Sequence, residues 1–133
     1  MSRSAISPFP DLEAKRRRFL RFATPARFGN LASTLSRAAD MAGTPEGETI
    51  AFRMLCEAIL FLSWTEEERG IFPAGIPLMK RELTRLRCSC ESSPTWEPTL
   101  AAEVVVRCEE YSRQALEWSG LLDEPEDPQT LCS

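Results

Sequence analysis

Apolar residues along this chain recur at steps of three and four, which predicts helices; no run alternates convincingly enough for a strand. The cleanest repeat is Leu100, Val104, Cys108, Tyr111, Ala115, Trp118 and Leu122, a helix that Thr99 would cap and that runs to Leu122. Phe28, Leu31, Leu35, Ala38 and Ala42 form a second stripe, opened by Thr24-Pro25 and stopped by Gly43. Another Thr-Pro pair, Thr44-Pro45, restarts the chain. Phe52, Leu55, Cys56, Ile59, Leu60, Phe61 and Leu62 then give the helix reaching Trp64 an apolar surface wider than one stripe, as expected of the most buried element. After an apolar loop from Ile71 to Pro77, the positions of Leu83, Leu86 and Cys90, with Leu78 or Met79, define a fourth helix. A short first helix is expected between Asp11 and Phe22, with Leu12, Phe19 and Phe22 sharing one side and the phenylalanines buried.

The pattern predicts an all-α fold, an antiparallel bundle of about four main helices with a short basic N-terminal helix, joined by short connectors. With 133 residues the chain has the length of one domain, expected over residues 11–122. Residues 1–10, with Pro8 and Pro10, are expected to be a flexible arm, and the acidic, proline-punctuated residues 123–133 a disordered tail. Gly29, Ala32, Ala38, Ala39 and Ala42 would let a neighbouring helix approach closely.

Charge changes this picture. The net charge of −4 conceals a basic head: residues 1–42 carry eight Lys/Arg against three acids, and residues 43–133 carry eight against seventeen. The stretch KRRRFLRF, residues 15–22, concentrates that charge beside phenylalanines. Lys15, Arg16, Arg17, Arg18, Arg21 and Arg27 are therefore the candidate partner-binding residues. These arginines read as the solvated face of a helix, available to an anionic partner, and the acidic body of the same protein qualifies as that anion.

The residue types narrow the chemistry. Histidine is absent, which removes imidazole general bases, Ser-His and Cys-His nucleophile pairs and imidazole metal ligands. The six glycines form no phosphate-binding loop. Cys88 and Cys90 would point about 200° apart on a helix, unable to share a metal or form a bridge without unwinding. Cys56 and Cys108 fall on core stripes without the spacing of zinc modules. Glu57, inside the apolar third helix, is the one oddly placed acid and is expected to pair with an arginine at the boundary of the buried face. No cofactor, metal or catalytic residue is assigned.

The longest apolar stretch, MLCEAILFLSW at 54–64, is too short to span a membrane and carries Glu57; no secretory signal is evident, so the chain reads as cytoplasmic. The expected function is a non-catalytic protein-interaction or adaptor domain, with self-association included. The alternatives are binding of nucleic acid or an anionic membrane surface through the basic helix, and a thiol-based redox role for Cys88/Cys90.

Three segments, FGNLASTLSRAA (28–39), EAILFLSWT (57–65) and YSRQALEWSGLL (111–122), resemble in order and spacing a family of short, helical, functionally uncharacterised proteins from cyanobacteria. The resemblance spans roughly 90 residues and implies a bacterial cytosolic helical domain, with no activity and no site residue to carry over. The basic N-terminal arm, residues 88–90 and the acidic tail depart from it. Within the motifs, Trp64 and Trp118 are expected at helix ends, and Gly120 is expected to bend or end the last helix. Asn30, a polar amide beside the core residue Leu31, is the one motif residue that packing does not explain.

Overall fold

The computed structural model describes residues 11–68, 72–93 and 95–120, and all of its regular structure is helical. The expected N-terminal arm and the acidic tail lie outside the described residues. Five α-helices follow in order: α1 (Leu12–Arg21), α2 (Thr24–Ala42), α3 (Glu48–Glu67), α4 (Ile76–Glu91) and α5 (Pro98–Ser119). A single 3₁₀ turn, Pro45–Gly47, leads into α3.

Helix boundaries follow local chemistry. Prolines occupy the first turns of α2, α4 and α5, where a missing N–H costs nothing. Thr24 lies inside α2 rather than capping it; Ala23 holds the cap position, and no side chain bonds there. Similarly, Ile76 and Pro77 belong to the first turn of α4, so the apolar loop ends earlier than the prolines suggest. At the end of α5, Gly120 adopts the left-handed conformation at φ 84° and donates its N–H to the Glu117 carbonyl.

In this arrangement α3 touches α1, α2 and α4, while α2 packs along both α3 and α5. The core between them holds Leu31, Leu35, Leu55, Leu62, Leu83, Leu86 and Val104, all fully buried. Burying one such leucine contributes about 1.5–3 kcal/mol, which explains why the apolar periodicity dominates the choice of fold. Ala32, Ala38, Ala39 and Ala42 are buried and give α2 its close packing. Gly29 does not belong to that set: a Cβ placed there would meet nothing within 4 Å. Close approach is required instead at Gly47, where a Cβ would overlap the Met41 carbonyl, and at Gly75, where it would stand 3.0 Å from the Trp118 ring.

Aromatic contacts fix the remaining elements. Phe19 of α1 stacks on Phe61 of α3 at 4.3 Å between ring centroids, and Trp64 closes on both rings at 5.8 and 5.9 Å. Phe28 meets Trp118 edge-on at 5.6 Å, joining the start of α2 to the end of α5. The Ser112 hydroxyl donates to the Ala32 carbonyl at 2.9 Å, a second link between α2 and α5.

Candidate functional site

Folding sorts the six candidate cations into two groups. Lys15, Arg16 and Arg27 are held by acids of α3 and the residue after it. Lys15 Nζ lies 2.6 Å from Glu57 Oε2, and Arg16 Nη2 donates to Glu67 Oε1 at 2.9 Å. The apolar setting of Glu57 thus acquires a cation as expected, but from lysine rather than arginine.

Arg27 has a different task. It is only 8% exposed, and its Nε and Nη2 donate to the Phe22 and Leu20 carbonyls at 2.8 Å each, while Nη1 reaches Glu68 Oε1 at 3.1 Å. Those carbonyls sit at the end of α1, where the helix leaves its last acceptors unsatisfied. A planar fork fits two carbonyls and a carboxylate at once, which a lysine cannot do. Arg27 therefore fastens α1 to α2 and has no free donor edge comparable to those of the outer arginines.

The second group faces outward. Arg17, Arg18 and Arg21 are exposed; Arg17 stands 3.7 Å from Glu13, and Arg18 and Arg21 form no ion pair among the described residues. Phe22, in the same turn, is 47% exposed. The expectation that both phenylalanines bury thus holds for Phe19 alone: Phe22 follows the last residue of α1, past the point where the helix face turns toward the core, and its ring stays in water.

Beside this face runs a cleft of about 300 Å³ where three helix faces converge. Lys15, Arg18, Phe19 and Phe22 come from α1, Asn30, Ser33 and Thr34 from α2, and Glu57 and Phe61 from α3. Each set is spaced three or four residues apart, so each is one helix face. Asn30, whose role the sequence leaves unexplained, lies here with Ser33 and Thr34, two helical positions that carry no sequence signal of their own. A wider groove between α2 and α5 is lined by Ser36, Glu109, Ser112, Arg113 and Leu116, but its Ser112 hydroxyl is already engaged by Ala32.

The thiols are separated. Cys88 is exposed and Cys90 buried on the opposite side of α4, as the helical angle requires. Burial pushes the Cys90 and Cys108 thiols up to about 12 and raises that of Cys56 as well. These three are held as neutral core groups, poor nucleophiles at neutral pH. Among the described residues no three His, Cys, Asp or Glu side chains are grouped to hold a metal ion, and no helix is long and apolar enough to cross a membrane.

Compared with known proteins, the chain matches no family model, no curated protein and no solved structure.

Proposed function

We propose that the chain is a non-catalytic protein-interaction or adaptor domain acting in the cytoplasm, in which four main helices form an antiparallel bundle and basic α1 carries the docking face. One observation carries this reading: Phe22 stays 47% exposed at the end of α1, the helix that carries the exposed Arg18 and Arg21, neither of which forms an ion pair among the described residues. An exposed ring flanked by arginines is the composition of a protein-docking hot spot, and it suits an acidic partner surface. The sequence itself carries acids of this kind, with Asp123, Glu124, Glu126 and Asp127 following Leu121 and Leu122. A second copy is thus the first partner to test.

The same arginines and ring favour a second reading, in which Phe22 stacks on a base and Arg18 and Arg21 meet phosphates. The net charge of −4 and isoelectric point near 5.0 weigh against it, because dedicated binders carry a basic footprint. Light-scattering mass at low and high salt separates the two, measured alone, with single-stranded DNA and with vesicles containing anionic lipid. Self-association that weakens with salt is the expected result. A monomer at low salt whose mass rises only with DNA or vesicles would overturn the reading.

A further inference from the structure

We propose that the cleft between α1, α2 and α3 is a binding site for a small oxyanion, a carboxylate or a phosphate monoester, that carries an aromatic or compact apolar body. The first ground is the state of its polar groups. Ser63, Thr65 and Thr84 satisfy their hydroxyls by donating to the carbonyl four residues earlier, at 2.9, 2.8 and 2.7 Å. Ser33 and Thr34, equally helical, make no such bond among the described residues, and neither does the Asn30 amide. Three neutral donors on one face of α2 are therefore open to the cleft.

The second ground is charge. Glu57 neutralises Lys15 at the inner wall, which leaves the Arg18 guanidinium as the cation not offset by a neighbour. An arginine that lines the same cleft as hydroxyl and amide donors matches an oxyanion, which accepts several hydrogen bonds and supplies the opposite charge. The paired Glu57 keeps the site from favouring a polyanion.

The third ground is shape. Phe22, exposed, and Phe61, buried, both line the cleft, so a ring or short aliphatic group entering with the anion meets apolar surface there. A volume of about 300 Å³ is at the lower end for small-molecule sites and suits a small ligand. The site shares Arg18 and Phe22 with the proposed docking face but stands on Asn30, Ser33 and Thr34, which that reading does not use.

The test titrates the full chain with phenyl phosphate, phenylacetate, inorganic phosphate and neutral benzyl alcohol, following backbone amide shifts by NMR and affinity by calorimetry. At least one aryl anion should bind saturably, with shifts centred on Asn30, Ser33 and Thr34, and both controls should bind about tenfold more weakly. Phenyl phosphate alone would point to a phosphate ester as the source, phenylacetate alone to a carboxylate. Arg18→Gln and the double change Ser33→Ala/Thr34→Val should each weaken binding by about tenfold without altering the far-UV spectrum. Arg17→Glu/Arg21→Glu, which leaves the cleft intact, should retain binding even where it abolishes self-association. No saturable binding by either anion, equal binding of benzyl alcohol, or affinity unchanged in both cleft variants would overturn the proposal.

Discussion

Lys15 of α1 and Glu57 of α3 form a 2.6 Å ion pair with side-chain exposures of only 23% and 13%. It joins the basic head to the acidic body at the point where Phe19 stacks on Phe61. Lys15→Met leaves the Glu57 carboxylate sheltered without that cation and should destabilise the fold by about 1–3 kcal/mol. Lys15→Met/Glu57→Met should recover most of the loss. Urea unfolding of the unaltered chain, Lys15→Met, Glu57→Met and the double variant provides the check, and additive losses would show that the pair is not coupled.

Arg27 should be irreplaceable by lysine. Its fork serves two carbonyls of α1 and Glu68, so Arg27→Lys should cost about 1–3 kcal/mol and Arg27→Ala at least as much. Hydrogen exchange locates the damage. Amides of α1 should exchange faster while those at the core of α3 stay protected.

Two glycines should respond with opposite signs. Gly29→Ala fills open space within a helix and should stabilise by about 0.5–1 kcal/mol. Gly47→Ala drives a Cβ into the Met41 carbonyl and should destabilise by roughly 1–3 kcal/mol. Thermal unfolding midpoints distinguish them, and an equal shift at both would contradict the packing described for the turn before α3.

Buried thiols make stability fall at high pH. Cys90 and Cys108 are raised from 9.0 to about 12 in the folded chain, so the unfolded chain gives up these protons first. Their contribution is complete below about pH 9 and is lost as pH rises through about 12. Cys90→Ala/Cys108→Ala should flatten that part of the profile. At neutral pH a thiol reagent should modify Cys88 readily and reach Cys56, Cys90 and Cys108 only on unfolding.

The main helices are legible in the sequence because their apolar stripes match the buried residues: Leu31 and Leu35 in α2, Leu55 and Leu62 in α3, Val104 and Cys108 in α5. Gly120 likewise announces the end of α5. Boundaries are less legible where proline is ambiguous, since Pro77 fits both a loop and a first helical turn. Charge is the least legible feature. Nothing in KRRRFLRF distinguishes Lys15 and Arg16, which reach acids more than forty residues away in α3, from Arg18 and Arg21, which do not. Arg27 reads as one more surface cation until the end of α1 is seen to curl around it. The cleft is half visible: the spacings 30/33/34 and 57/61 mark single helix faces, but only packing shows that they oppose each other.

The proposed docking face is formed by Arg17, Arg18, Arg21 and Phe22 and is offered to an acidic protein surface. The most direct test is the light-scattering mass of the Arg17→Glu/Arg21→Glu variant beside the unaltered chain at low salt. Both residues are exposed and neither contributes to the core, so the fold should persist. The unaltered chain should self-associate and the variant should be monomeric. An identical mass for the two would contradict the claim that α1 is the docking face.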